Sequence, residues 1–240
     1  MLSDNKEQNV HSSLPQALLQ PFSPYQELAQ ALLPLTLDSD DGSHDVAHLH
    51  RVWKNTRKIS QHEGGDRRIL CAAVLLHDCV AVEKNSPQRH LASRMAAEKA
   101  GLLLTQLGWD MQDIAKTAHA IEAHSFSAAI TPETLEAKIL QDADRLDAIG
   151  MVGVARCFYI GGRMRSALYA AADPLAHHRQ YDDKRFTLDH FETKLFKLQD
   201  DFQTAIGKKW RKSAPNVCDA SLAICWKKCD QIISPVWNFR

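Results

Sequence analysis

Read for the spacing of its apolar positions, the chain is helical nearly throughout. From Asp45 to His62, Val46, Leu49, Val52, Trp53, Thr56 and Ile59 recur at intervals of three and four, which gathers them on one helix face, and Gly64-Gly65 ends the pattern. The unbroken apolar run from Ile69 to Leu76 predicts a second, buried helix. Pro87 and its polar neighbours interrupt the chain, a third helix is expected from Ser93 to Leu107 before Gly108, and a fourth from Met111 to Ala123. Thr131-Pro132-Glu133 combines a capping hydroxyl, a proline suited to the first helical position and an early acid, and so opens a long helix through at least Ile149. Leu188, Phe191, Leu195, Leu198 and Phe202 mark one more amphipathic helix. No long period-two alternation rich in Val, Ile and Thr is present, so the pattern predicts an all-α fold.

The polar positions that interrupt this pattern carry the chemistry. His77 and Asp78 follow the apolar run without a break. Adjacent side chains on a helix diverge by about 100°, so both can grip one ion only where the helix ends and the backbone reorients. A buried carboxylate needs a cation or several hydrogen bonds to stay ionised, and imidazole with carboxylate suits Mn, Fe, Zn, Ni or Co. The dipeptide alone is weak evidence, since His44-Asp45 repeats it. Two further features keep it company. His48 lies one turn before Val52, at the edge of the face that packs on the core, and Asp142, Asp144 and Asp147 interrupt an otherwise core-like helix. Asp142 and Asp144 stand about 200° apart around that helix, so they cannot both reach one ion, and spacing does not choose between them.

Composition narrows the function. At 240 residues one domain is expected, and with 29 basic and 29 acidic side chains no global field draws the protein to nucleic acid or to an anionic membrane. Phosphate binding must then come from local cations; Lys84, Arg89 and Arg145, close in sequence to the acids and imidazoles, are the candidates. The longest apolar run falls well short of the roughly 20 residues that cross a bilayer, and the N-terminal stretch has mixed charge, so a cytoplasmic protein is expected. Six cysteines without a C-x-x-C pair read as reduced thiols, with Cys79 as packing, and Cys218, Cys225 and Cys229 match no zinc spacing. Gly161-Gly162 lacks a following GK[ST], and no Ser or Cys has a triad-like context, which leaves water as the attacking group.

The segments SHDVAHLHRVWKN, LLHDCV, KNSPQR, AIEAHSFS and EAKILQDADRLDAIG, in that order, resemble the HD superfamily of metal-dependent phosphohydrolases, and within it the bacterial single-domain branch. The resemblance spans about residues 25–212, with 1–24 as a polar lead-in and 213–240 as a tail outside it. It implies an HD-domain helical bundle holding one divalent ion (Mn, Mg, Fe, Ni, Co or Zn) on His48, His77, Asp78 and Asp144, and it is the resemblance that selects Asp144 over Asp142. It further implies hydrolysis of a small-molecule phosphoester, a nucleotide, by a pyrophosphohydrolase or phosphomonoesterase reaction centred on Asp78 and His124. His124 is read as a hydrogen-bonding group in preference to a second-metal ligand, with His119 five residues before it. Where the superfamily's guanosine-tetraphosphate hydrolases carry a Glu-Asp pair, this chain has Ala81-Val82 before Glu83. That departure argues against that substrate and supports an alternative, a nucleotide-sensing module without turnover.

Overall fold

A computed structural model describes residues 13–36, 42, 45–82 and 86–213, and among these the chain is helical, with a single isolated bridge between Ala167 and Phe186 in place of any sheet. The helices are α1 (Gln16–Leu19), α2 (Gln26–Leu32), α3 (Val46–Glu63), α4 (Arg67–Leu76), α5 (Ala92–Gln106), α6 (Met111–His124), α7 (Leu135–Ala148), α8 (Met151–Arg163), α9 (Phe196–Leu198) and α10 (Ala205–Ser213). A π-turn, Phe191–Leu195, leads into α9.

Aspartates start three of the long helices. Asp45 accepts from His48 N at 3.0 Å, Asp66 from Arg68 N at 2.8 Å and Ile69 N at 3.2 Å, and Asp110 from Gln112 N at 2.8 Å. Each satisfies backbone N–H groups that have no partner within the helix. The aspartate of the second HD dipeptide is therefore a helix cap, and its histidine, His44, lies outside the described residues.

The expected α7 start is displaced by three residues. Its cap is Thr134, whose Oγ1 accepts from Ala137 N at 3.2 Å, while Glu133 N donates to His119 Nε2 at 2.9 Å, so 131–133 belong to the connection from α6. At the other end Ile149 is extended and Gly150 takes φ +87°, a conformation open to glycine, which separates α7 from α8. The final amphipathic run also departs from expectation. Phe196 N bonds to Phe191 O, five residues back, and the helix stops after Leu198. The Asp142 carboxylate explains the stop: it accepts from Gln203 N at 2.8 Å, Thr204 N at 2.8 Å and Thr204 Oγ1 at 2.6 Å, pulling that backbone into a turn against α7. Gly207 sits so close to this carboxylate that a Cβ there would overlap Asp142 Oδ2.

Two apolar clusters result. The larger is built around α4, buried from Ile69 to Leu76, with α3, α6 and α7 packed about it and α5 lying on α6. Phe22 belongs to it, fully buried and stacked on Trp53 at 6.3 Å, and Leu14 and Leu19 pack against it, so the segment expected as a polar lead-in in fact contributes to the core. The smaller cluster gathers Val154 and Cys157 of α8 with Leu188, Phe191, Leu195 and Leu198. Cys71, Cys79 and Cys157 are buried, and Cys79 packs with its Sγ 3.7 Å from Ala96 O. Among the described residues no helix is long and apolar enough to cross a membrane. The expected tail beyond Ser213, with its three cysteines, lies outside the described residues.

Candidate metal centre

Helix α4 ends at Leu76, and the turn that follows lets His77 and Asp78 point to the same place, as adjacent residues within a helix could not. His77 Nδ1 lies 2.8 Å from Val74 O, so this nitrogen carries the proton and Nε2 is left as a ligand atom. His48, from the buried face of α3, is fixed in the same tautomer by Asp147, whose Oδ2 lies 2.8 Å from Nδ1. The two Nε2 atoms meet at 3.2 Å. With both Nδ1 positions engaged elsewhere, the two Nε2 atoms are left facing one another, close enough for one divalent cation to be held by both. Metal–nitrogen bonds of about 2.0–2.1 Å put two ligand nitrogens at about this separation.

Carboxylates complete the set. Asp78 Oδ2 lies 3.5 Å from His77 Nε2 and 3.7 Å from His48 Nε2, and Asp144 Oδ1, from α7, lies 3.6 Å from His48 Nε2. His48, His77 and Asp78 each offer a ligand atom within 4.8 Å of the others. The imidazoles are buried while the two carboxylates are about a quarter exposed, so the group opens to solvent on its carboxylate side. A third imidazole faces this side: His124, at the end of α6, has Nδ1 2.6 Å from Ile121 O and Nε2 3.7 Å from Asp78 Oδ1. Its ring meets that of His77 edge to face at 4.9 Å. His119 is turned away, toward Glu133.

Titration follows from these neighbours. Burial pushes His77 down to about 4 despite the pull of Asp78, which keeps the ring neutral and ready to ligate. For His124 burial acts in the same direction, but the attraction of the nearby Asp78 carboxylate outweighs it and the pKa lies above the usual imidazole value. The three imidazoles hold Asp144 below the ordinary carboxylate range against the effect of burial. Asp147 is lower still: burial is overcome by the bonds from His48 and Arg51.

Asp147 has no expected role in the sequence reading beyond being one of three acids, yet it organises one wall of the site. Besides His48 it takes Arg51 Nε at 2.6 Å, Arg51 NH2 at 3.2 Å and Arg156 NH1 at 3.2 Å. Its signal is visible in retrospect: Asp144 and Asp147 are i and i+3 on α7 and share a face, whereas Asp142 points to the opposite side.

The expected phosphate ligands divide. Arg89 NH1 bonds Val82 O at 3.1 Å, and the residue lines the pocket beside Asp78 and Asp144. Arg145 borders the same pocket, but its guanidinium is buried and committed to Asp201, through NH1 to the main-chain oxygen and through NH2 to Oδ2 at 3.0 Å. It ties α7 to the turn before α10 and is not available as a phosphate fork. Lys84 lies outside the described residues. Two cations absent from the expected set, Arg156 of α8 and Lys194 of the π-turn, also line the pocket of about 60 Å³ that opens over Asp78, His124 and Asp144. Burial, with Arg89 and Arg156 close by, draws Lys194 below the usual amine range, and Asp144 and Asp78 pull the other way. Lysine inside an amphipathic run gives no periodic signal, so only the π-turn, a frequent feature of functional sites, distinguishes it.

The two aspartates that spacing could not separate make opposite contributions. Asp144→Asn is expected to lose metal at least tenfold more readily than wild type in dialysis against chelator. Asp142→Asn, which touches the 203–204 turn, should retain metal and lower the melting temperature.

Residues 46–149, the stretch that supplies all five of these imidazole and carboxylate groups, match the HD domain family. The chain is 29% identical over 184 residues to the uncharacterized protein YpgQ of Bacillus subtilis (strain 168), covering 75% of this chain and 82% of the relative. An HD-superfamily hydrolase from Bacillus thuringiensis superposes with a TM-score of 0.61 at 27% identity, over 85% of this chain and 97% of that one. The crystal structure of Bacillus subtilis YpgQ in complex with ADP gives 0.57 at 28% identity, over 86% and 97%. Helical architecture, the His77-Asp78 pair at a helix end and these likenesses agree: residues 46–149 are an HD domain, in an all-α chain similar in fold to HD-superfamily hydrolases.

Proposed function

We propose that this protein is a metal-dependent phosphohydrolase that cleaves a nucleotide. The observation that carries the reading is the convergence of His48 Nε2, His77 Nε2, Asp78 and Asp144 beneath a pocket walled by Arg89, Arg156 and Lys194. The four ligands would hold one divalent ion, their two carboxylates balancing its charge, with Mn, Mg, Fe, Ni, Co or Zn compatible with a mixed nitrogen and oxygen set. Such an ion supplies a Lewis acid for a phosphoryl oxygen and a water of lowered pKa.

The chain's own groups do the rest. Arg89, Arg156 and Lys194 bind the phosphate chain and offset the charge that grows on it in the transition state. His124 presents Nε2 beside Asp78 on the open side of the ligand group, placed to hydrogen-bond a phosphoryl oxygen or to hand a proton to the leaving oxygen. No serine or cysteine stands among the residues lining this pocket in a position to form a covalent intermediate with a base, apart from Ser125, whose hydroxyl pairs with Ser127. Support for a nucleotide comes from the YpgQ–ADP complex of similar fold.

The test is a panel of nucleoside mono-, di- and triphosphates and simple phosphoesters, run on chelated protein reloaded with Mn, Mg, Ni, Co or Zn in turn. Metal-dependent release of phosphate or pyrophosphate is expected. In oxygen-18 water one label should enter the products, and its position identifies the phosphorus attacked. Fully metallated protein that binds nucleotides yet turns none over would replace this reading with that of a sensing module.

A further inference from the structure

Beyond Arg89 and Lys194 lies a second, larger cavity of about 160 Å³, and these two cations line both it and the pocket over the ligand group. Its character is different. One wall is a stripe of α8 and its C-terminal cap, Cys157, Ile160, Gly161 and Met164, recurring at intervals of three and four on one helix face. Facing it is a polar rim that includes Asp183, Thr187 and His190. A largely apolar wall opposite a few placed polar groups suits an organic ring system better than a phosphate.

Asp183 is the rim's one carboxylate. It is held from behind: His190 Nδ1 lies 2.9 Å from Oδ2, and Thr193 Oγ1 donates to the same oxygen at 3.0 Å. Both bonds arrive at Oδ2, so the carboxylate is fixed in orientation with Oδ1 left to serve a ligand. Lys184 shares the rim with it, so the feature that sets Asp183 apart is an oriented acceptor that attracts N–H and O–H groups. Lys194 and Arg89 stand at the junction, where they would neutralise a phosphate passing from one cavity to the other. Thr193 and Lys194 both come from the π-turn, which thus supplies a support for Asp183 and a cation for the junction.

We infer that the larger cavity receives the nucleoside of the substrate, and that Asp183 selects it by accepting hydrogen bonds from its N–H or O–H groups. This rests on the phosphohydrolase reading of the metal centre. It makes Asp183 a specificity residue on the side of the pocket remote from the metal ligands.

Two variants approach the cavity from opposite walls: Asp183→Asn alters the acceptor, and Ile160→Trp fills the space without touching it. Circular dichroism and bound Mn verify that each is folded and loaded. The probes are ATP, GTP, CTP, UTP and their 2′-deoxy forms, set against inorganic tripolyphosphate, which has a phosphate chain and no nucleoside. The ratio of kcat/KM for nucleotide over tripolyphosphate is expected to fall at least tenfold in both variants, chiefly through KM. A loss under Asp183→Asn confined to ribonucleotides identifies ribose hydroxyls as the donors, and one confined to amino-bearing bases identifies the base. Wild-type ratios in both variants would overturn the assignment and leave the phosphohydrolase reading standing. If the wild-type protein cleaves nothing, equilibrium binding of ADP to the Mn-loaded protein decides: affinity weakened tenfold or more in both variants upholds the cavity, and affinity unchanged or absent overturns it.

Discussion

Replacing Asp78 by alanine is expected to empty the metal site while leaving the fold in place. The carboxylate lies within 3.7 Å of all three imidazole Nε2 atoms and supplies one of the two anions that would balance a divalent ion. It sits in the turn beyond α4 with its side chain 25% exposed, so its removal leaves no cavity in the core. Metal bound after gel filtration should fall from about one equivalent to below a tenth, and metal-dependent hydrolysis should fall by at least about a thousandfold, on the order of 4 kcal/mol of transition-state stabilisation. Chelated wild-type and variant proteins should differ in stability by no more than about 0.5–1 kcal/mol. Stoichiometric metal in the variant would show that the ligand group has been misassigned.

Asp147→Ala should do the reverse, with a large cost to the fold. Its side chain is 3% exposed and holds His48, Arg51 and Arg156 together. Removing one partner of a buried ion pair costs about 3–5 kcal/mol, and the low end applies here because Arg51 remains 37% exposed and can be solvated. The loss of the bond to His48 Nδ1 also frees that ring to rotate, which should weaken metal affinity about 10–100-fold. Asp147→Asn keeps an acceptor for Nδ1 without the charge and should fall between wild type and alanine on both measures.

The sign of the pH dependence follows from Asp147 lying far below its unfolded value of about 3.9. A depressed folded pKa contributes stability that is complete above the unfolded value and is lost as pH falls through the folded one. The gap in denaturation free energy between wild type and Asp147→Asn should therefore be constant near neutrality and narrow below about pH 4. A gap that persists unchanged at pH 2 would assign the effect to shape and not to charge.

Much of this arrangement is legible in the apolar spacing and in the family motifs, and the parts that are not share a physical cause. Helices whose faces repeat every three or four residues, α3, α5 and α6, appear within a residue or two of where periodicity puts them. Boundaries decided by a single group do not: whether Thr131 or Thr134 caps α7 depends on which hydroxyl meets an amide, and the break after Leu198 depends on a carboxylate far away in sequence, Asp142. In the site, His48, His77, Asp78 and Asp144 are brought together as the resemblance implies. Arg145 fails as a phosphate ligand because proximity in sequence says nothing of direction, and on α7 it faces Asp201. Arg156 and Lys194 were hidden for the complementary reason: they belong to segments that reach the pocket only through tertiary packing.

The division of the core into two apolar clusters bears on how a ligand is held. Every imidazole and carboxylate of the metal group is carried by α3, α6, α7 or the end of α4, on the larger cluster, whereas Arg156, Lys194 and the wall of the second cavity ride on the smaller one. A nucleotide held as proposed would therefore bridge both clusters, its phosphates on the larger and its nucleoside on the smaller, and act as a clasp between them.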